Sequence, residues 1–237
     1  MKDLPILALP GLLNDERLWH HQAAALGADH PMTSFPLTPQ ASMAELAAMA
    51  LARAPAGRFA LMGLSMGGYL ALEIMRKAPE RVAALALLDT SARPDTPQAS
   101  EMRRALIAQS AGDFDAVPAA LMPRILHPSR LGDESVVGLL QKMAVRIGRD
   151  GFVRQQHAIM GRSDSRPTLV TLHCPTLVLC GRDDLLTPLE LHEEMAAGIA
   201  GSRLVVLDGC GHMSALEKPA EVTEALRSWL ARAEPTG

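Results

Sequence analysis

A doubly wound α/β fold, with a mostly parallel sheet and one helical insertion, is the architecture this sequence predicts. Three observations lead there. Short runs such as Val82–Leu88 (VAALALL) and Thr176–Cys180 (TLVLC) are apolar at nearly every position, as strands covered on both faces must be. Segments with helical spacing of apolar residues alternate with these runs, the rhythm of a parallel sheet flanked by helices. Between Asp89 and Pro175 the rhythm stops, and no strand pattern occurs over a stretch far longer than an ordinary connection.

Along the chain, strands are expected at Leu4–Leu9, Met32–Leu37, Phe59–Leu64, Val82–Leu88, Thr176–Cys180 and Leu204–Leu207. Ser42–Glu45 (SMAE) fits a capping box, in which a hydroxyl and a carboxylate satisfy free N–H groups at a helix start. Thr187–Glu190 (TPLE) reads the same way, with Pro188 at the first helical position. A helix follows Leu64 and ends before Pro79, after Arg76 and Lys77. The strand-free interval carries helical pieces around Ser100–Ser110, Asp115–Ile125, Ser135–Ile147 and Phe152–Met160. Residues 1–90 and 167–237 are thus expected to form the core, and residues 91–166 a helical lid over the C-terminal edge of the sheet, where open α/β sheets bind ligands. A last helix presents Val222, Leu226, Trp229 and Leu230 on one face, and only ARAEPTG reads as a frayed tail.

The 237 residues carry a formal net charge of −3 and 48% hydrophobic side chains, enough for a substantial core. No basic block points to nucleic acid, and no apolar run approaches a membrane span. The N-terminal MKDLPILALPG is too short for a signal peptide, and three cysteines without metal-ligand spacing fit a reducing compartment. Cytoplasmic location is the expectation.

Within FALMGLSMGGYLALEIM, Ser65 stands among glycines where a buried strand must turn into a helix. Turn chemistry alone could explain it. A nucleophile explains more: Gly63 and Gly67 allow a turn so tight that the serine hydroxyl projects, and the next helix aims its positive end at the site. The pentapeptide by itself is weak support, but its strand–turn–helix setting removes most accidental matches. A serine also needs a base. Asp183 and Asp184 follow the strand ending at Cys180, and His212, between Gly209 and Gly211 on one side and Met213 on the other, follows the strand ending at Leu207. The order Ser, Asp, His is that of a hydrolytic triad on such a sheet.

At GLSMGG, GRDDLLTP, GCGHMSALEKP and LPGLLNDERLW the chain resembles the α/β-hydrolase superfamily, in its small esterase, lactonase and haloperoxidase-like branch. The resemblance implies Ser65 as nucleophile, His212 as general base and Asp184 as acid, since Gly181, Asp184 and Pro188 match the family pattern Gly-x-x-Asp-x-x-x-Pro. It implies an oxyanion hole from the backbone N–H groups of Leu12 and Met66. Pro10-Gly11 stands where many relatives carry His-Gly. Relatives open with a hairpin before that strand; this chain begins at the strand, so six parallel strands are expected.

The implied activity is cleavage of small carboxylic esters through an acyl-enzyme, with no cofactor and no metal. Alternatives on the same fold are an enol-lactone hydrolase, a perhydrolase or haloperoxidase-like enzyme, and a ligand receptor. Among other residues, His20 and His21 read as a solvated helix face, and His127, His157, His173 and His192 as structural. Met62, Met66, Met102, Met122, Met143, Met160 and Met213 could line an adaptable pocket or fill the core. Arg124, Arg146, Arg154, Arg162 and Arg166 are candidates for pairing a substrate carboxylate, against the simpler reading of exposed arginines. Cys180 and Cys210 have no context that would activate a thiol.

Overall fold

The computed structural model describes residues 4–233. Six strands, β1 (Ile6–Leu9), β2 (Met32–Ser34), β3 (Phe59–Leu64), β4 (Val82–Leu88), β5 (Thr176–Gly181) and β6 (Arg203–Leu207), form one sheet among these residues. Their order is β2-β1-β3-β4-β5-β6, and every neighbouring pair is parallel. Parallel neighbours need crossovers, and helices supply them. These are α1 (His20–Leu26), α2 (Met43–Arg53), α3 (Met66–Lys77) and, after the interval, α8 (Leu189–Gly198), followed by α10 (Pro219–Ala233).

Alternate residues of each strand feed two different cores. Leu7, Leu61, Leu85 and Val178 pack with Leu46 of α2 and Ile74 of α3. Ile6, Met62, Ala86 and Leu179 pack with Leu26 of α1 and with Val222, Leu226, Trp229 and Leu230 of α10. This is why the central strands are apolar at successive positions: both faces of the sheet are covered.

Strand ends follow the prolines. Pro5 has no N–H but its carbonyl still accepts from Ala60 at 2.9 Å, so β1 starts at Ile6. Strand β2 was expected to run to Leu37 and stops at Ser34, because Pro36 cannot donate to the ladder; Phe35 and Leu37 are nevertheless buried. Half of the capping box at Ser42 forms: Glu45 N–H donates to the Ser42 hydroxyl at 3.3 Å, and the Glu45 carboxylate accepts from that hydroxyl at 2.7 Å instead of from the Ser42 N–H. The box expected at Thr187 does not form. Helix α8 begins at Leu189, Pro188 precedes it, and the Thr187 hydroxyl is used elsewhere.

The interval between β4 and β5 contains α4 (Pro97–Ser110), α5 (Ala116–Ile125), α6 (Glu134–Met160) and the short α7 (Arg166–Leu169). Helix α6 is two pieces, broken at Gly148, whose φ of 69° and ψ of 170° are not helical. The expected division between Ile147 and Phe152 falls there. Met122, Leu126, Val136, Leu140 and Met143 of this interval join the sheet core. Val117, Ala144, Ile147 and Phe152 build a smaller core with Leu13. The expected frayed tail lies largely outside the described residues. No described helix is long and apolar enough to cross a membrane.

Candidate active site

Strand β3 ends at Leu64 and α3 starts at Met66, so Ser65 alone makes the turn. Its φ of 53° and ψ of −114° lie in a region L-residues avoid, at a cost on the order of 1–3 kcal/mol. Several contacts hold it there. Ser65 N–H donates to Leu88 O at 3.0 Å, and Ser65 O accepts from Gly68 N–H at 2.9 Å and from the Thr90 hydroxyl at 2.8 Å. Thr90 N–H in turn donates to His192 Nε2 at 2.9 Å. Burial pushes the His192 pKa down to about 4, which keeps this ring neutral and able to accept. The glycines are required by contact. A Cβ on Gly67 would lie 2.1 Å from Leu9 O, and one on Gly63 would lie 2.2 Å from Gly67 O.

His212 sits after β6, just before α9 (Ser214–Glu217), and only 3% of it is exposed. Its Nδ1–H donates to Asp184 Oδ2 at 2.7 Å. Asp184, equally buried, also accepts from Leu186 N–H at 2.8 Å, from Thr187 N–H at 3.0 Å and from the Thr187 hydroxyl at 2.6 Å. Asp183 faces the other way, exposed, with a carboxylate oxygen 3.8 Å from His127 Nε2.

Burial opposes charge on both members of the His212–Asp184 pair, and their mutual attraction outweighs it. The His212 pKa is raised and the Asp184 pKa is lowered. His212 therefore contributes stability that is full below its unfolded value of about 6.5 and is lost as pH rises through the folded value. Asp184 contributes above its unfolded value of about 3.9, and that contribution is lost as pH falls. The pair stabilises the fold most between these limits.

A third carboxyl braces this loop, and sequence reasoning missed it. Asp89, fully buried at the end of β4 with φ 44°, accepts from Gly181 N–H at 3.1 Å, from Ser214 N–H at 3.2 Å and from the Ser214 hydroxyl. It thereby ties the end of β5 to the residue two places after His212. Burial first, and the Asp184 charge second, push its pKa well up. Its mark in the sequence was an acid directly after the apolar run VAALALL. Glu217, also buried, accepts from Met213 N–H at 3.1 Å and His127 N–H at 2.8 Å, and Ile125 O accepts from His212 N–H at 3.0 Å. The histidine loop is thus held by α5 and α9 together.

Ser65 and His212 both line a cavity of about 200 Å³, without a hydrogen bond between their side chains. Its other walls come from α4, α5 and α6 and from the loop after β1. In that loop Leu13 has φ 61°, and its N–H donates to Gln155 Oε1 of α6 at 3.0 Å. The N–H groups of Leu12 and Met66 donate to no other described backbone group. Met102, Met122 and Met213 line the cavity, whereas Met62, Met66 and Met143 are core residues.

Of the arginines expected near substrate, Arg124 lines the cavity. Arg146 pairs with Asp15 and Glu16, Arg162 with Asp95 and Arg166 with Asp164, and Arg154 donates to Thr38 O. Arg103, not singled out from sequence, lines it too. Cys180 and Cys210 are buried thiols, and burial pushes Cys180 up to about 12. His20 and His21 are exposed on α1.

Residues 5–219 match the family model described as the alpha/beta hydrolase fold. A protein of Pseudomonas savastanoi provisionally named carbamate hydrolase RutD is 27% identical over 252 aligned positions, covering 96% of this chain and 94% of the relative. Among solved structures, a thermophilic esterase from Thermogutta terrifontis superposes with a TM-score of 0.87 at 31% identity, over 97% of this chain and 90% of that one. The enol-lactonase of Burkholderia xenovorans LB400 gives 0.84 at 26% identity, over 96% and 91%.

Two outcomes follow from the geometry. By imidazole NMR, His212 titrates above its ordinary value in the folded protein; Asp184→Asn lowers it, since burial is then opposed only by Asp89 and Glu217, and Asp183→Asn leaves it in place. Asp89→Ala leaves buried N–H groups of Gly181 and Ser214 unpaired and lowers unfolding stability by about 2–4 kcal/mol in urea. A loss under about 0.5 kcal/mol would show that the Asp89 side chain braces nothing.

Proposed function

The chain belongs to the alpha/beta hydrolase family, and from that premise we propose a serine hydrolase of small carboxylic esters, with Ser65 as nucleophile, His212 as general base and Asp184 as the acid that orients it. One observation carries the reading: a serine in a strained turn opens into the same cavity as a buried imidazole whose far nitrogen is bound to a buried carboxylate. Relatives whose names specify an esterase and an enol-lactonase support cleavage of an ester bond.

With Nδ1–H committed to Asp184, His212 Nε2 carries the lone pair and takes the Ser65 proton. Ser65 Oγ adds to the ester carbonyl. The oxyanion is met by the N–H groups of Leu12 and Met66, neither engaged by another described backbone group, and by the positive end of α3. His212 returns the proton to the departing alcohol. Water, deprotonated by the same imidazole, then attacks the acyl-enzyme and frees the acid and Ser65. Charge rises on the imidazole in each half-reaction, and the adjacent carboxylate stabilises it. No cofactor or metal enters these steps. A lactone, being a cyclic ester, opens by the same route. Residues 91–166 serve as a lid: α4, α5 and α6 supply most of the aliphatic wall around the acyl group.

The test is a panel of p-nitrophenyl esters and lactones assayed with wild type, Ser65→Ala and Asp184→Asn. Ser65→Ala loses at least about three decades of kcat, and Asp184→Asn about two to four. The base must be neutral and its pKa is raised, so wild-type kcat/KM falls on the acid side with an apparent pKa above about 6.5. EDTA leaves the rates unchanged. A fully active Ser65→Ala, or a profile flat down to about pH 4.5, would end this reading.

A further inference from the structure

Besides Ser65 and His212, five polar side chains line the cavity, Asn14, Tyr69, Arg103, Arg124 and Gln156, and two of them are cationic. Arg103 of α4 and Gln156 of α6 both line the cavity that Ser65 and His212 share, and no described Asp or Glu does so. Gln156 is fully buried, and its Oε1 accepts from the Arg103 guanidinium at 2.9 Å. A guanidinium can only donate, so this bond fixes which end of the amide faces Arg103. The other end, Gln156 Nε2, is a buried N–H₂ group with no partner among the described residues. Such a group costs free energy while it stays unpaired.

The charge around it has the same sense. Arg103 Nε lies 3.2 Å from Asp95 Oδ2, and Arg162 lies 2.7 Å from Asp95 Oδ1. Burial opposes ionisation of Asp95, yet Arg103, Arg162 and Ser100 hold its pKa below the ordinary range, so the group is a carboxylate. One buried carboxylate facing two partly buried guanidiniums leaves this cluster one positive charge in excess. Arg124, on the same cavity, is exposed and has no acidic partner among the described residues. A cavity with a spare positive charge, an orphaned amide donor and no acid is complementary to an anion with only acceptor atoms.

We infer that Arg103 and Gln156 form a subsite for a second carboxylate of the substrate, so that the preferred substrates are esters or lactones carrying a free acid group. The inference rests on the reading of Ser65 as nucleophile for its catalytic consequence, though not for binding. The carboxylate accepts from Gln156 Nε2 and from guanidinium N–H groups of Arg103 left over by Asp95 and Gln156. These charge-assisted bonds replace the missing partner and anchor the end of the substrate remote from the reacting carbonyl. Asp95 and Arg162 hold the Arg103 guanidinium in place, and Arg162 also stacks 4.3 Å over the Tyr69 ring on the cavity wall.

The test compares aryl half-esters of straight-chain dicarboxylic acids with aryl esters of monocarboxylic acids of equal carbon number, over a range of lengths. At the best length, wild-type kcat/KM favours the half-ester by at least about tenfold. In Gln156→Met that ratio falls by about tenfold, and in Arg103→Gln further. A variant that merely loosens the fold lowers both rates together and leaves the ratio unchanged. Calorimetric titration of Ser65→Ala with the same half-esters reads the subsite without turnover: binding should be at least about tenfold tighter than for the neutral ester, and should weaken with added salt. Half-ester binding without any turnover by wild type would sink the hydrolase reading and leave the subsite standing. A wild-type preference for neutral esters at every length, or a ratio unaltered by Gln156→Met, would overturn the subsite.

Discussion

Ser65 sits at φ 53° between the last residue of β3 and the first of α3, and much of the surrounding structure is arranged to keep it there. A strained backbone persists only where neighbours over-determine it. Here Leu88 and Thr90 bind its peptide groups from the adjoining strand end, and neutral His192 fixes Thr90. Gly67 and Gly63 allow helix and strand to approach to a distance no side chain would tolerate. The turn therefore draws on three strands and two helices. On the proposed mechanism, this is what converts fold stability into a hydroxyl exposed at a helix N-terminus beside two free backbone donors.

The partner loops solve a different problem, which is electrostatic. An imidazole and a carboxylate are buried together, and each makes the charged form of the other affordable. Asp89 lies close enough to feel Asp184, and two like charges at that depth repel; burial and that repulsion raise the Asp89 pKa, while its three donors hold the loop around His212 in register. The pair stabilises the fold most at a pH where the imidazole is protonated, but as the proposed general base it must be neutral. Maximal stability and maximal activity are thus expected at different pH, the second higher.

Elements set by local pattern were legible in the sequence. The apolar runs located all six strands, and the helical pieces on either side of Gly148 were separated correctly because the periodicity lapses there. Motif and order led to Ser65, to the pair Asp183 and Asp184, and to His212; the family resemblance chose Asp184, which is hydrogen-bonded to His212 in the structure. What stayed hidden depends on contacts between distant segments. Thr187 is a local exception: it looked like a helix cap, and its hydroxyl instead closes a turn onto Asp184 three residues before it. Arg103 was passed over for arginines that proved to be paired at the surface, such as Arg146 with Glu16 and Arg166 with Asp164. Gln155 and Gln156 carried no mark at all; one braces the loop containing Leu12 and the other lines the cavity.

The helices between β4 and β5 consequently do more than line the cavity. Ile125 O holds the His212 backbone and Gln155 holds Leu13, so the segment that shapes the pocket also positions both halves of the site. All of this converges on one atom, the Ser65 hydroxyl oxygen. The most direct measurement is reaction of the native protein with a fluorophosphonate, followed by intact mass and peptide mapping. The account predicts a single adduct, carried by Ser65, forming faster above the His212 pKa than below it and absent in Ser65→Ala. An adduct mapped to another residue, or no adduct on a folded protein, would contradict it.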